Sequence, residues 1–284
     1  MRIGAFIASL LLALVLAAPA AGAAADARIA ALQVALRARG VYVGAVDGLK
    51  GPRTERAVRV VQARAKIAVD GVVGPQTRKA LGPLGRPGLG TRSLRHGMRG
   101  WDVASLQFRL ALHGFPSGIF DGDFGPRTDA AVKRFQRWAG LKADGEVGPA
   151  TTLTLARPPA TSPVSLATPL PVPYTDGFGP RGARMHTGLD FPAPSGTSVV
   201  AARTGVVTIA RWLAGYGNTV AIRHKLGAST LYAHLSAILV RPGERVAVAQ
   251  PIGRVGATGE ATGPHLHFEL RVRGAAIDPL PAFR

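Results

Sequence analysis

The 284-residue chain contains no cysteine. This excludes a disulfide scaffold, a thiol nucleophile and any Cys-ligated zinc or iron–sulfur site. Acidic residues are scarce, with 16 Asp and Glu against 35 Lys and Arg, a formal net charge of +19. Such an excess suits an anionic partner (nucleic acid, an acidic membrane face or an anionic polymer), or it serves solubility alone. Long apolar runs are also scarce, and none beyond the first 25 residues could span a membrane. What is present is enough for real cores. At 47% hydrophobic, wholesale disorder is excluded. The length predicts about two domains, and 22 Pro and 36 Gly predict linkers and many turns.

The single long apolar run, residues 5–16, follows the basic Arg2 and leads into Ala21, Gly22 and Ala23. This order reads as a secretory signal over residues 1–25, cut after Ala23 or Ala25, and the run is short for an uncleaved anchor. The expected location is secreted or extracytoplasmic, in cell wall or periplasm, without stable membrane insertion after cleavage. Nucleic acid is then excluded as the natural partner. Residues 24–160 hold 22 basic and 10 acidic residues and residues 161–284 hold 12 and 6, so most of the charge lies in the N-terminal part. Anionic envelope polymers are the expected counterpart.

Residues 29–81 align without a gap on residues 103–155, identical at about 23 of 53 positions. Within each copy Asp-Gly-x-x-Gly-Pro-x-Thr occurs twice, at 47–54, 70–77, 121–128 and 144–151. Asp-Gly predicts a turn whose Gly takes positive φ. The second Gly then stands at a helix N-cap, and Pro takes the first helical position, where its missing N–H costs nothing. Each copy therefore reads as helix, loop, helix, turn, short helix. Leu32 and Leu36, and likewise Leu106 and Leu110, face one side of the first helix. Ala57, Val58 and Val61, with Ala131, Val132 and Phe135, do so in the second. Gly40 and Gly114 are placed to end the first helices. A calcium loop at Asp121-Gly122-Asp123 is excluded, because its twelfth position is Val132 and not a carboxylate.

Each copy resembles the peptidoglycan-binding-like domain of bacterial wall hydrolases, through Leu32-Gln33 and Leu106-Gln107, the Asp-Gly-x-x-Gly-Pro-x-Thr motifs, and Gln62 and Gln136. The resemblance implies a small all-α three-helix bundle that docks on wall glycopeptide. Such units also serve as spacers or inhibitory segments. The second copy carries Phe108, Phe115, Phe120, Phe124, Phe135 and Trp138, which are expected mostly in its core, an exposed one being able to stack on sugar.

From residue 174 onward short runs rich in β-branched and aromatic residues alternate with Gly and Pro, which predicts an all-β, antiparallel domain. Five of the seven histidines fall here. His186 and Asp190 form His-x-x-x-Asp, His265 and His267 form His-x-His, and His234 stands alone at a strand end. Residues two apart on a strand share a face, so His265 and His267 converge. Imidazole and carboxylate suit zinc, and three protein ligands with an open position make a catalytic site.

The region resembles the lysostaphin-type (LytM family) zinc metallopeptidases. The shared positions are Phe178, Gly179 and Arg181, the His186–Asp190 motif, Gly215-Tyr216-Gly217-Asn218, Tyr232 with His234, and Gly263-Pro264-His265-Leu266-His267-Phe268-Glu269. The resemblance implies one zinc ion per chain held by His186, Asp190 and His267. It makes His234 and His265 the catalytic histidines, which orient or deprotonate the attacking water. Phe178, Arg181, Tyr216 and Asn218 are expected on loops lining a substrate groove. Glu269 shares the face of the two histidines, either as an imidazole partner or as half of a salt bridge. His96, His113 and His224 match no ligand position. Relatives that cut polyglycine place a Tyr six residues before the first histidine. Here that residue is Pro180, which favours bonds involving D-Ala or a diamino acid over Gly-Gly bridges.

The expected layout is a signal over 1–25, binding modules over 26–82 and 98–156, linkers over 83–97 and 157–173, and a metallopeptidase domain over 174–284. The expected function is a secreted, monomeric zinc endopeptidase that cuts peptidoglycan stems or cross-bridges. The alternative is a non-catalytic wall-binding scaffold or activator of another hydrolase.

Overall fold

The computed structural model describes residues 25–284, so the signal expected over residues 1–25 lies almost wholly outside the described residues. Six helices come first: α1 (Ala27–Ala38), α2 (Pro52–Arg64), α3 (Pro75–Ala80), α4 (Trp101–Leu112), α5 (Pro126–Trp138) and α6 (Pro149–Leu155). Each motif behaves as its residues dictate. Gly51, Gly74, Gly125 and Gly148 are N-caps followed by Pro at the first helical position. Gly48, Gly71, Gly122 and Gly145 have φ of 73°, 77°, 76° and 84°. Gly40 and Gly114 lie one residue beyond the helix caps Arg39 and His113, also at positive φ.

A buried glutamine closes each turn. Gln62 Nε2 donates to Asp70 Oδ1 (2.7 Å), the Val72 carbonyl (2.9 Å) and Thr77 Oγ1 (3.1 Å), while its Oε1 accepts from Gly71 N–H (2.8 Å). Gln33, Gln107 and Gln136 repeat this arrangement. The repeats are not independent beads. Helices α1 and α4 pack together, and Trp101, Ala104, Phe108 and Phe120 of the second copy enter the core of the first. Phe108, Phe115, Phe120, Phe124 and Phe135 are all buried.

The chain then forms an antiparallel β domain. Its strands are β1 (Gly179–Arg181), β2 (Arg184–His186), β3 (Leu189–Pro192), β4 (Ser198–Val200), β5 (Gly205–Leu213) and β6 (Gly217–Arg223). They continue with β7 (Ala228–Leu235), β8 (Ala237–Ile238), β9 (Arg245–Val246), β10 (Pro251–Arg254), β11 (His265–Val272) and β12 (Ala275–Ile277). The main sheet runs β12-β11-β7-β6-β5-β9, with β3 paired to β11. A second sheet is β4-β10-β8, and β1 and β2 form a hairpin. The stretch expected as a linker over 157–173 packs on the domain that follows it. Val164, Leu166 and Leu170 are buried in the β-domain core, because their apolar side chains alternate with the prolines and find that core within reach.

Two hairpins of the β domain rest on the helical region. The turn joining β1 to β2 offers the Gly182 carbonyl to Val46 N–H and the Ala183 carbonyl to Phe120 N–H, both at 2.7 Å. Val46 and Phe120 are equivalent positions of the two repeats. At the second contact Ala276 N–H donates to the Gly114 carbonyl (3.2 Å) and the Arg273 guanidinium lies 5.1 Å from the centre of the Trp138 ring. A side chain at Gly114 would collide with the Ala276 backbone, so glycine is required there for close approach as well as for its φ.

Candidate metal centre

Register brings the metal ligands proposed above into one place. His267 on β11 lies directly across from Asp190 on β3, and His186 ends β2, four residues before Asp190. Side chains of directly opposed residues share a face of the sheet. The intervening loop is drawn tight against β11, since a side chain at Gly188 would collide with the Phe268 backbone. His186, Asp190 and His267 form the one cluster among the described residues whose nitrogen and oxygen donors all lie within 4.8 Å of one another. His186 Nε2 and His267 Nδ1 lie 3.1 and 2.8 Å from Asp190 Oδ1, and 3.1 Å from each other.

The outer atoms of these rings fix which nitrogen faces the centre. His186 Nδ1 donates to the Gly177 carbonyl (2.7 Å), which turns Nε2 toward Asp190. His267 is turned the other way. Its Nε2 donates to Glu269 Oε1 (3.1 Å) and its Nδ1 faces the cluster. Two imidazole nitrogens and one carboxylate oxygen aimed at one point, with His186 and His267 buried, are a donor set that fits zinc.

His234 and His265 stand beside this cluster, their ring centres 4.7 Å apart and that of His234 5.9 Å from that of His267. His234 Nδ1 donates to the Thr258 carbonyl (2.7 Å) and His265 Nδ1 to the Gly263 carbonyl (2.8 Å), so each presents Nε2 as a base. His265 Nε2 is 3.8 Å from Asp190 Oδ1. His234 has a φ of 60°, a left-handed conformation that a non-glycine residue adopts only when its surroundings impose it. Burial holds its pKa below the ordinary value, with His265 and His267 adding to the effect, so the ring is neutral at pH 7.

Burial opposes the charge on Asp190, but hydrogen bonds from His186 and His267 outweigh it and hold the carboxyl well below the usual range. Burial also opposes a charged His267. Its bonds to Asp190 and Glu269 overcome this and push its pKa up to about 9. Glu269 is fully buried, yet Arg271 and His267 keep it ionised. Both readings of Glu269 therefore hold at once, since its Oε2 accepts from Arg271 Nε (2.6 Å) while Oε1 serves His267.

Three of the four expected groove residues make side-chain hydrogen bonds, two of them to residues of the centre or to Glu269 beside it. Tyr216 is half-buried in the turn before β6, its ring centre 5.8 Å from that of His267. Its hydroxyl donates to Glu269 Oε1 (2.8 Å) and accepts from Arg271 Nη2 (3.2 Å), and burial with Glu269 pushes its pKa up to about 12. Asn218 lies in β6 and not on a loop, its Nδ2 on the Leu235 carbonyl (3.1 Å). Arg181 ties Asp176 (2.6 Å) to the outer oxygen of Asp190 (3.3 Å). Phe178 is half-buried beside β1. Sequence reading missed Arg271 and the role of Thr187, whose hydroxyl also donates to Glu269. The alternation His267, Glu269, Arg271 on one strand face was the signal that pointed to Arg271.

Residues 184–279 match Peptidase family M23, and residues 25–81 and 99–155 match a putative peptidoglycan binding domain. The DD-carboxypeptidase/endopeptidase Mpg of Neisseria meningitidis serogroup B is 46% identical over 119 residues, 39% of this chain and 27% of that protein. The peptidoglycan DD-endopeptidase ShyA of Vibrio cholerae is 46% identical over 97 residues, 34% of this chain and 23% of that protein. The chain thus spans about a quarter of the length of these relatives. Among solved structures, a zinc containing peptidase from Vibrio cholerae is 36% identical, covering 41% of this chain and 38% of that one, with a TM-score of 0.38. The catalytic domain of lysostaphin from Staphylococcus simulans is 35% identical, covering 39% of this chain and 90% of that one, with a TM-score of 0.37. The β domain of this chain is a member of peptidase family M23, carried behind two copies of the peptidoglycan-binding domain.

Proposed function

We propose that the protein is a secreted, zinc-dependent endopeptidase that hydrolyses peptide bonds in peptidoglycan and is held to the wall by its helical region. The observation that carries this reading is the cluster of His186, Asp190 and His267, with the free Nε2 atoms of His234 and His265 beside it. His186, Asp190 and His267 would hold a zinc ion, which would supply Lewis acidity toward the scissile carbonyl and lower the pKa of water. The chain's own residues do the rest. Glu269 orients His267, the Gly177 carbonyl orients His186, and Arg181 holds the outer oxygen of Asp190. The Nε2 of His234 or His265 takes the proton of the attacking water and returns it to the leaving amine, a general acid–base role. His265 and Asp190 are only half-buried, so the peptide enters from their side.

The relatives named as DD-endopeptidases support a cross-link or stem bond as the target, as Pro180 does in place of the tyrosine of polyglycine-cutting enzymes. The excess positive charge of the helical region suits an anionic wall. The test is incubation of the purified full chain with peptidoglycan sacculi. The expected result is zinc near one equivalent by elemental analysis and release of peptides whose new termini, read by mass spectrometry, define the bond. A chain free of zinc that releases nothing supports the scaffold alternative.

A further inference from the structure

The two repeats differ at the site that Phe124 fills in the second. In the second, Val103, Leu106, Val132 and Val147 form a closed core with Phe124 and Leu94. Leu94 and Val147 exchange two backbone hydrogen bonds (3.1 and 2.8 Å), so the chain at residue 94 lies as an extended strand along the turn. Among the described residues, the equivalent residues Ile29, Leu32, Val58 and Val73 of the first repeat instead line an open cavity of about 220 Å³. The position of Phe124, which is 1% exposed, is held there by Lys50, which is exposed to solvent. Among the described residues no backbone group pairs with Val73. Lys50 and Arg78 also border the cavity, and the Arg78 guanidinium stacks over Trp101, 4.7 Å from its ring centre. The acidic neighbours are already engaged, Asp26 with Arg28 and Glu55 with Arg59, both at 2.9 Å.

We propose that this cavity is a subsite for an extended peptide that bears a free carboxylate. The second repeat supplies the template. The bound segment pairs with Val73 as Leu94 pairs with Val147, adding a short strand to an open edge. An apolar side chain fills the space that Phe124 and Leu94 fill in the other copy, and the carboxylate faces Lys50 and Arg78. The inference rests on the wall-binding reading and sharpens it. The first repeat is the binding copy, the second is plugged by its own residues, and the ligand is stem peptide and not glycan.

Lys50→Phe in the full chain tests this by giving the first repeat the plug that the second already has. Co-sedimentation with sacculi is expected to weaken on the order of tenfold or more in Kd, with an unfolding midpoint no lower than that of the parent. A soluble tetrapeptide of stem composition is expected to compete with sacculi, and its C-terminal amide to compete several-fold less. Unchanged sedimentation of Lys50→Phe overturns the subsite while leaving wall binding intact. Loss of sedimentation without competition by the tetrapeptide overturns the peptide as ligand. A parent chain that does not sediment at all overturns the wall-binding reading itself.

Discussion

The helical repeats and the β domain both bury polar side chains, but they leave different atoms unengaged. In the repeats Gln33, Gln62, Gln107 and Gln136 are each at most 1% exposed, with the amide nitrogen and the carbonyl oxygen both bonded to one turn. They hold the fold and have nothing left to offer a ligand. In the β domain His186 and His267 each bond an outer carbonyl or carboxylate through one nitrogen and point the other at Asp190, while His234 and His265 keep Nε2 unengaged beside them. His224 shows that histidine alone is not the signal. Its two nitrogens meet the Thr204 carbonyl (3.1 Å) and Thr230 Oγ1 (2.9 Å), and it behaves like the glutamines. A single unpaired atom is not the signal either, since His113 Nδ1 is buried without a partner and stands apart from any cluster. Convergence of several rings on one carboxylate oxygen is what separates a site from a scaffold.

The contrast can be broken by substitution, most sharply at the centre. His186→Ala should lose both zinc and wall lysis, because one of the three ligand side chains disappears. His234→Ala should lower lysis by about 10²–10⁴-fold while zinc is retained. Elemental analysis together with turbidity loss of sacculi separates the two, and lysis retained in both variants contradicts the assignment. One step outward, Glu269→Gln should weaken zinc affinity by about 10–100-fold, as is usual when the partner of a ligating imidazole is changed. A competition titration with a chelator reads this directly. If affinity is unchanged, Glu269 serves only Arg271.

In the repeats the expected effect is on stability alone. Gln136→Ala leaves the Gly145 N–H and its neighbours without partners and should cost about 1–3 kcal/mol. Denaturant unfolding measures the cost, and zinc content should not change. The smallest effect is that of pH. Burial lowers the pKa of both His113 and His224 below 6.5. The unfolded chain therefore takes up protons near pH 6.5 that the folded chain refuses. Their stabilising contribution is complete above that pH and falls as the pH drops below it. A thermal midpoint that does not decline between pH 7.5 and 5.5 contradicts the neutral, buried state of these rings.

Much of this was legible in the sequence for local reasons. Asp-Gly turns, Gly-Pro helix starts and the i, i+4 apolar pairs act over a few residues, so the six helices follow from them. His-x-His on a strand points both imidazoles to one face by the period of the strand. The groove residues were less legible. Tyr216 and Asn218 sit in loop-like Gly-rich text, yet their side chains are drawn inward by Glu269 and by the Leu235 carbonyl, partners 53 and 17 residues away. The Pro-rich stretch was read from composition, which hides the three apolar side chains that dock it on the β domain.

The sequence by itself determined the turn chemistry, the helical and strand periods, the repeat and the residue types able to hold a metal, because each depends on interactions between near neighbours. Only the tertiary structure decided that His186 Nε2 meets His267 Nδ1 across 81 residues, and which nitrogen of each ring faces the centre. It alone decided that Val46 and Phe120 hold successive carbonyls of the hairpin that carries His186. It alone also decided that Leu94 packs with Phe124 into the core of the second copy, while among the described residues the same site of the first stays open. These are contacts between segments far apart in the chain, and their geometry is fixed by strand register and packing, which no local spacing encodes.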